Sequence, residues 1–316
     1  MTISIIIPNY NGASLIKKNL PQVFTVVKKY KPQIIIVDDH SVVEDYSELK
    51  SFVDDFSQKT NPILLLRNEK NYGFSKTVNR GVSNATNELL VLLNSDVIPE
   101  LDFLDSVFPK FNTDQKLFAV GCMDKSIEGS KTVLRGNGVG SFQRGFLIHS
   151  KGNVNDSNTL WVSGGSSIMR ASIYRKLNGF DEIYNPFYWE DIDLSYRAVK
   201  SGYNILFDNK SIVEHRHEEG SIKKNFTQNY VNMISYRNQC IFMWKNCTDP
   251  SVIFNHIIYL PYHILSAIFR MDSSFLKALY FAVIKIPQVI KKRSEQSKLF
   301  VLSDQEVIQK AHEKSE

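Results

Sequence analysis

Alternation of apolar runs with helix-like segments is the feature that most restricts how this chain can fold. Runs rich in β-branched residues recur through the first 120 residues, and amphipathic stretches lie between them at about 13–30, 45–58, 74–86 and 101–112. Continuous apolar runs joined by helices are typical of a parallel sheet that is covered on both faces. The sequence therefore predicts an α/β fold built on a mostly parallel sheet flanked by helices. The predicted strands are Ile3–Ile7, Ile34–Val37, Ile63–Leu66, Leu89–Leu93 and Leu117–Val120.

The region from about residue 122 to residue 225 is less regular but is expected to belong to the same domain. Its glycines and short apolar pieces predict irregular strands and loops up to about residue 165. Helices are predicted at about 171–178 and 190–201, and a strand at Asn204–Phe207. We therefore expect one α/β domain over residues 1–225.

Residues 226–316 differ in composition and predict a helical C-terminal extension. Val252–Phe269 contains no Asp, Glu, Lys or Arg and approaches the length that spans a membrane, although Pro261 would kink such a helix. A second apolar stretch, Phe275–Ile290, is followed by the basic residues Lys291–Arg293. Apolar helices with a basic edge are typical of interfacial anchors, so we expect peripheral contact with a membrane. A helical cap on the main domain and a homodimer contact are the alternatives.

Composition argues against several other classes of protein. The chain has 316 residues, of which 43% are hydrophobic and 22% are charged, as in ordinary globular proteins. A net charge of +5 is too weak to indicate nucleic-acid binding but is compatible with anionic ligands. The three cysteines lack metal-binding spacing, and the N-terminal residues have neither a basic region nor a cleavage site. We therefore expect a cytoplasmic protein without a disulfide framework.

Polar residues follow the predicted strands at the edge where ligands bind to such sheets. A Gly-x-Gly-x-x-Gly sequence after the first strand and a Walker loop are both absent, which argues against nicotinamide dehydrogenases and P-loop enzymes. Instead, Pro8–Gly12 follows the first strand, and Asp38-Asp39 ends the second. The two carboxylates can accept hydrogen bonds from a nucleobase or from ribose hydroxyls. Helix capping by Asp39 or Ser41 is an equally good interpretation.

Two acidic clusters indicate the chemistry. Asn94-Ser95-Asp96 directly follows an apolar run, where a carboxylate suits a metal ion and a phosphate. Trp189–Asp193 opens a predicted helix and places Glu190, Asp191 and Asp193 in one turn, which suits proton abstraction. Acids in a first helical turn can also simply stabilise the helix. Together, the clusters favour transfer of a group from an activated phosphate donor.

The order of these motifs resembles that of the family 2 glycosyltransferases, which have the GT-A (Rossmann-like) fold. The resemblance covers roughly residues 3–245 and depends on the ordered set, because no single motif is specific. Within the family, the chain looks most like bacterial enzymes that build surface polysaccharides, including rhamnosyltransferases. The matching motifs are Pro8-Asn9-Tyr10-Asn11, Val37-Asp38-Asp39-His40-Ser41, Asn71-Tyr72-Gly73-Phe74 with Asn79-Arg80-Gly81, Leu93-Asn94-Ser95-Asp96, Gly164-Gly165, Gly179-Phe180-Asp181-Glu182, Glu190-Asp191-Ile192-Asp193-Leu194 with Arg197, and His215-Arg216-His217.

The resemblance implies which residues bind the nucleotide sugar. Asp39 would contact the base, with Pro8 and Tyr10 lining the same pocket, and Trp189 is a possible stacking surface for a sugar, although aromatic core is the usual role of such a residue. The complete set assigned to the nucleotide sugar is Pro8, Tyr10, Asp39, Asn71, Gly73, Asn79, Asn94, Ser95, Gly165, Trp189 and Glu190.

The resemblance also implies a metal site. Asp96 occupies the last position of the family's Asp-x-Asp motif, whereas Asn94 replaces the first Asp and brings an oxygen without a charge. Mg²⁺ or Mn²⁺ would suit these ligands, with the diphosphate completing the shell. His215 is expected as a further ligand, and His217 lies close enough in sequence to be confused with it.

Asp191 matches the family's catalytic base, and a single displacement at the anomeric carbon would invert its configuration. The resemblance implies a dTDP-, UDP- or GDP-linked sugar donor and a saccharide or lipid-linked saccharide acceptor. It places the enzyme at the inner face of the bacterial cell membrane. A sugar-phosphate nucleotidyltransferase is the first alternative, but the Gly-rich basic loop that it needs is missing after the first strand. A catalytically silent carbohydrate-binding protein is the second, although Asp96 and Asp191 are both present.

Overall fold

The computed structural model describes residues 1–60, 62–128, 131–215 and 226–313, and these ranges contain strands and helices in alternation. The strands are β1 (Ile3–Asn9), β2 (Gln33–Asp38), β3 (Ile63–Arg67), β4 (Leu89–Leu93), β5 (Val97–Pro99), β6 (Leu117–Glu128), β7 (Lys131–Arg135), β8 (Gly138–Gln143), β9 (Phe146–Lys151), β10 (Ser166–Arg170) and β11 (Asn204–His215). The helices are α1 (Ala13–Val27), α2 (Val43–Lys59), α3 (Phe74–Ser83), α4 (Val107–Thr113), α5 (Ala171–Lys176), α6 (Glu190–Lys200), α7 (Gln228–Asn246), α8 (Pro250–Phe269), α9 (Ser273–Ile284), α10 (Ile286–Gln296) and α11 (Asp304–His312).

The first four strands form the parallel half of the main sheet, as the sequence predicts. β1 pairs in parallel with β2 and β4, and β2 pairs in parallel with β3. Successive side chains of a strand face opposite sides of a sheet, and here both sides are buried. Ile5 and Ile7 belong to a core with residues of α1, α2 and α4, whereas Ile6 belongs to a second core with residues of α3, α5 and α6. Burial on both faces explains why the runs are apolar throughout.

The second half makes the sheet mixed. In the part of the chain that the structure describes, the strand order is β3-β2-β1-β4-β10-β6-β11-β5, with β7 attached to β6. β10 runs antiparallel to both of its neighbours, while β6 and β11 are parallel to each other. β6 and β11 are longer than predicted, and their pairing carries His215 to the position opposite Ser126. The predicted α/β class is confirmed, but the segment expected to be irregular contains the regular β8–β9 hairpin.

Some predicted helices have other boundaries. The helix expected at 101–112 begins only at Val107, after a series of turns in which Asp102 has a left-handed φ of 63°. Pro261 lies inside α8 without ending it. The second apolar stretch is divided between α9 and the helical segment that begins with α10, which are bent by 63° relative to each other.

The C-terminal helices are joined to the main sheet region by buried polar contacts. Lys200 of α6 forms an ion pair with Asp304 of α11, and neither side chain is exposed. Lys245 of α7 forms a second buried ion pair with Asp181, at 2.8 Å. Among the described helices, α8 is long and apolar enough to cross a membrane by length and composition, and the bent pair would be a second only if counted as one span. Only 17% of the apolar window of α8 is buried.

Candidate active site

The carboxyl ends of β1 and β2 are joined by Asp38. Its side chain is fully buried and accepts hydrogen bonds from Asn9 Nδ2 at 2.9 Å and from the Ser41 N–H at 3.1 Å. Both carboxylate oxygens are therefore occupied by protein donors. Asp38 thus fixes the turn that presents the next residue, Asp39.

Asp39 lies beside the segment with Asn71 and Gly73, which by the family resemblance would, together with Asn79, shape the wall of the nucleotide site (the nucleotide wall). One carboxylate oxygen accepts from Asn68 Nδ2 and the Tyr72 N–H at 2.7 and 2.8 Å, and the other accepts from the Gly73 N–H at 2.8 Å. The second oxygen keeps a lone pair for another donor. The Asp39 N–H donates to the carbonyl of Asn9, so Asp39 is tied to the chain between Pro8 and Tyr10, which are both half-buried. Asn71, just before Tyr72, is exposed.

The side chain of Asn79 makes its hydrogen bonds with other residues than Asp39 does. Its Oδ1 accepts from the Phe180 N–H at 3.1 Å and from the Tyr174 hydroxyl at 2.7 Å, while its Nδ2 donates to the Phe180 carbonyl at 2.8 Å. These contacts tie α3 to the loop after α5. The assignment of Asn79 to the nucleotide wall remains a prediction.

Asn94 and Gly165 connect the two acidic clusters. The Asn94 N–H donates to the Gly165 carbonyl at 2.9 Å. A Cβ at Gly165 would lie 2.4 Å from Asn94 Nδ2, so only glycine allows this approach. The neighbouring Gly164 N–H faces Asp191 Oδ2 at 3.4 Å. One short segment therefore lies between the predicted base and the predicted metal motif. Ser95, in the middle of that motif, accepts at its carbonyl from Asn19 Nδ2 at 2.8 Å.

Asp96 faces His215, as a shared metal site requires. His215 Nε2 lies 3.3 Å from Asp96 Oδ2, and His215 Nδ1 lies 2.8 Å from Asp124 Oδ2. Burial alone would lower the pKa of His215, but hydrogen bonds to Asp124 and Asp96 and their charges raise it to about 9. The two carboxylates on either side of the ring therefore favour the protonated form of His215. Asp124 belongs to the extension of β6 that the sequence did not predict, and no motif marks it.

The residues fit a divalent cation that is only partly enclosed by protein. A cation at Nε2 of His215 would also meet Asp96, while Asp124 would hold Nδ1 and orient the ring, as second carboxylates commonly do. Within the described residues, no group of three His, Cys, Asp or Glu side chains is arranged so that it could hold a metal ion without other ligands. The nitrogen and oxygen donors suit Mn²⁺ or Mg²⁺, and a diphosphate would have to supply the remaining ligands. His217 lies outside the described residues.

Glu190 and Asp191 form an acidic pair at the start of α6, in which Glu190 is buried and Asp191 is half-buried. Burial raises the pKa of Asp191, although the N–H groups of Ile192 and Gly164 oppose this. Burial raises the pKa of Glu190 well above its ordinary value, and the charge of Asp191 adds to the effect. One carboxylate oxygen of Glu190, Oε2, is buried without a hydrogen-bond partner among the described residues. Acids with raised pKa values in one place are typical of proton-transfer sites.

Asp193, the third acid, has a structural role instead. It accepts from Arg197 Nε at 2.7 Å, Lys245 Nζ at 2.6 Å and the Tyr184 hydroxyl at 2.8 Å. Burial alone would raise its pKa, but the charges of Arg197 and Lys245 lower it. This network anchors α6 behind the acidic pair. No sequence motif marks Lys245, which lies in the region expected to be an extension.

Trp189 is buried rather than open to a cleft. Only 3% of it is exposed, and its indole lies between the rings of His149 and Phe242, each with its centroid at 5.2 Å. Its predicted contact with the donor sugar remains a prediction. The residue that precedes it, Tyr188, is 41% exposed.

Known proteins similar to this chain are glycosyltransferases by name. The chain is 25% identical over 221 residues to the pre-mycofactocin glycosyltransferase of Mycobacterium tuberculosis, covering 68% of this chain and 43% of that protein. It is 22% identical over 218 residues to the O-antigen chain rhamnosyltransferase WbaN of Salmonella anatum, covering 68% of this chain and 66% of that protein. The chain thus spans less than two thirds of the length of either relative.

A solved structure and a family model agree with the fold. The crystal structure of GalNAc-T7 with UDP, GalNAc and Mn²⁺ has a TM-score of 0.63 and 16% identity, over 78% of this chain and 48% of that one. This similarity confirms the predicted GT-A fold. The model of "Glycosyl transferase family 2" matches residues 4–177. Since that range is more than half of the chain, and since it contains Asp39 and Asp96 with the strands that precede them, the protein belongs to glycosyl transferase family 2.

Proposed function

We propose that this protein is a metal-dependent, inverting glycosyltransferase that moves a sugar from a nucleotide-diphosphate sugar to a saccharide hydroxyl. The observation that carries the proposal is the Gly164-Gly165 segment. It contacts the half-buried Asp191 carboxylate on one side and Asn94, two residues before Asp96, on the other. A base and a metal ligand therefore border one site at the carboxyl edge of the sheet.

The base and the metal ligands have complementary roles. Asp191 takes the proton of the acceptor hydroxyl as that oxygen attacks the anomeric carbon, and its raised pKa makes it a stronger base than an exposed aspartate. Asp96 and His215 would hold the cation, which neutralises the charge of the departing diphosphate. One displacement by an oxygen on the side of Asp191 inverts the anomeric configuration.

The donor is proposed from the nucleotide pocket. Asp39 Oδ2 accepts one hydrogen bond among the described residues, from the Gly73 N–H, at the carboxyl ends of β1 and β2. Its second lone pair would accept from a base N–H or a ribose hydroxyl. GalNAc-T7, which shares the fold, was solved with UDP and Mn²⁺. We propose a UDP-, dTDP- or GDP-linked sugar as donor and Mn²⁺ or Mg²⁺ as cofactor.

The acceptor and location are proposed from the exposed apolar face of α8 and α9. Ile257, Ile258 and Phe269 of α8 are 62%, 53% and 85% exposed, and Tyr280 of α9 is 64% exposed. Lys291 lies at the end of the same helical region and is also exposed. Such a face would bind an anionic bilayer peripherally and place catalysis beside a lipid-linked saccharide. WbaN, a bacterial relative, is named for O-antigen synthesis, which supports a role in surface polysaccharide synthesis at the cytoplasmic leaflet.

Activity is tested by screening the purified full chain with Mn²⁺ or Mg²⁺ against UDP-, dTDP- and GDP-sugars, scoring nucleotide release and thermal stabilisation. Asp191→Asn is expected to keep nucleotide binding and to lose transfer by about a hundredfold or more, because the amide cannot accept the proton. Near-normal transfer by this variant would remove Asp191 as the base. Chiral-column or NMR analysis of the product would show an unchanged anomeric configuration if inversion is wrong.

The metal site is tested by Asp96→Ala. Calorimetry with UDP should show tighter binding in Mn²⁺ than in chelator for the natural protein and little difference for the variant. Asp54→Ala, which removes an exposed carboxylate of α2, is the control and should keep the metal effect. A full metal effect in Asp96→Ala would place the cation elsewhere.

Membrane contact is tested by flotation with vesicles of phosphatidylglycerol and phosphatidylethanolamine. Ile258→Glu should weaken flotation, whereas Val43→Glu, at a 66% exposed apolar position on α2, should leave it unchanged. Added salt should weaken binding only partly, because the apolar face remains. A full chain that stays unbound, or that elutes as a dimer broken by Ile258→Glu, would overturn the membrane assignment.

A further inference from the structure

The backbone immediately before the acidic pair is strained. Tyr188 and Trp189 have φ values of 70° and 76°, although neither is glycine. The left-handed region is disfavoured for residues with a Cβ, and two such residues in succession are uncommon. Trp189 is also the N-cap of α6, so the strain lies directly beside Glu190 and Asp191. Strain of this kind persists only where the surroundings enforce it.

Asn238 of α7 is the residue that enforces this turn. Its Nδ2 lies within hydrogen-bonding distance of the carbonyls of Tyr184, Phe187 and Tyr188, at 2.8, 3.1 and 2.8 Å. Its Oδ1 accepts from Arg237 Nε and Nη2 at 3.0 and 2.8 Å, which fixes the amide in this orientation. Asn238 is completely buried. The strained turn is therefore held from inside by a side chain that has no exposed surface of its own.

The turn sends two neighbouring aromatic rings in different directions. Trp189 goes inward and fills the space between His149 and Phe242. Tyr188 remains 41% exposed, and its ring makes a T-shaped contact with that of Phe187, with the centroids 5.1 Å apart and the planes at 77°. Burial raises the pKa of Tyr188, and the charge of Glu190 raises it further.

We propose that Tyr188 is a binding platform for a sugar ring of the acceptor, and that Asn238 is the positioning residue that holds this platform beside Asp191. The inference rests on the proposed function and names the acceptor class as a saccharide at the point of attack. An aromatic ring that is partly exposed and held by a neighbouring ring can stack on the apolar face of a pyranose. Tyr188 lies only two and three positions before Glu190 and Asp191, so a sugar on this ring would approach the start of α6. Trp189, for which the sequence leaves both sugar stacking and a core role open, packs between His149 and Phe242 instead.

The first test uses the full chain, the donor found by the screen, and methyl glycosides of common hexoses and deoxyhexoses as acceptor probes. Tyr188→Leu should raise the KM for the methyl glycoside about tenfold, while donor KM and acceptor-free donor hydrolysis stay unchanged. Tyr188→Phe, which keeps the ring, should stay within about twofold of the natural protein. Tyr203→Ala is the control, because this half-buried tyrosine precedes the amino end of β11, whereas His215 ends that strand.

The second test separates positioning from stability. Asn238→Ser should lower kcat and raise the acceptor KM, because the turn loses its clamp. Asn137→Ser is the matched control, since Asn137 is also buried and donates to two backbone carbonyls, of Asp156 and Asn158, at 2.8 and 2.9 Å. It should lose similar stability and keep its kinetics.

The outcomes distinguish this inference from the proposed function. If the natural protein is active and Tyr188→Leu leaves the acceptor KM unchanged, Tyr188 is not a platform for the acceptor. If Asn238→Ser and Asn137→Ser lose activity equally, Asn238 has no positioning role. If the natural protein neither hydrolyses nor transfers any nucleotide sugar of the panel, the proposed function and this inference fall together.

Discussion

Replacement of Asp304 by asparagine should destabilise the whole protein, although Asp304 is far from the site in sequence. Asp304 is completely buried and pairs with Lys200, which is buried too. It also accepts from the Tyr196 hydroxyl at 2.6 Å and from the N–H groups of Thr248 and Asp249, each at 2.7 Å. The carboxylate thus joins α6, the loop before α8, and α11. Asparagine keeps the shape and one carbonyl oxygen but removes the charge.

The magnitude follows from what remains around Lys200. Its ammonium would keep the Asn246 carbonyl at 2.9 Å and the Thr248 hydroxyl at 2.7 Å but would have no counter-charge in this cluster. Removing one partner of a buried ion pair costs about 3–5 kcal/mol. Because the amide oxygen can still accept from the two N–H groups, we expect a loss near the lower end, about 3 kcal/mol. The double variant Lys200→Met with Asp304→Asn buries no lone charge and should be more stable than Asp304→Asn alone.

The assay is equilibrium unfolding in urea at pH 7, followed by circular dichroism and tryptophan fluorescence. The control is Asp54→Asn, because Asp54 pairs with Lys50 on an exposed helix surface and its loss should cost under about 1 kcal/mol. The reasoning would be refuted if Asp304→Asn lay within about 1 kcal/mol of the natural protein. It would also be refuted if the double variant were the least stable of the set.

Three further predictions follow from other contacts. Gly165→Ala should lower kcat while leaving the urea midpoint nearly unchanged, because its Cβ would displace Asn94 Nδ2, which lies 2.4 Å away; unchanged kcat would contradict this. The gain in stability from Glu190→Gln, relative to the natural protein, should be larger at pH 8 than at pH 4. Burial and the Asp191 charge raise the folded pKa of Glu190 above the unfolded value of about 4.3, so folding is disfavoured as pH rises past that value, and an equal urea shift at both pH values would contradict the sign. A chain that ends at residue 249 loses Asp304 and should be unfolded in the same assay, whereas a cooperative thermal transition would support an independent domain over residues 1–225.

The first half of the fold could be predicted because its signal is local. Runs such as Ile34–Val37 are apolar at every position, and only a strand buried on both faces requires that pattern. The residues after the strands followed from the same argument, because the carboxyl ends of parallel strands share one edge. The sequence therefore predicts Asp39 and Asp96 at that edge, and in the structure they follow the ends of β2 and β4.

The site residues that the sequence missed depend on pairing between distant segments. Asp124 orients His215 only because β6 continues past its apolar run and pairs with β11. Asn238 acts on a loop some fifty residues earlier in the chain, and its amide has no distinguishing neighbours in the sequence. Side-chain hydrogen bonds between distant segments produce no periodicity and no compositional bias in the sequence, so sequence patterns do not reveal them.

The sequence by itself determined the α/β class, the polar edge of the sheet and the acids at the start of α6, because each follows from burial or from chain-local chemistry. Tertiary structure decided which of those acids is free to react: Asp193 is neutralised by Arg197 and Lys245, whereas Asp191 is bonded to backbone N–H groups and has no ion pair within the described residues. It also decided that Trp189 is buried and Tyr188 exposed. The physical reason is the same in both cases, since burial and charge pairing depend on which distant groups surround a side chain.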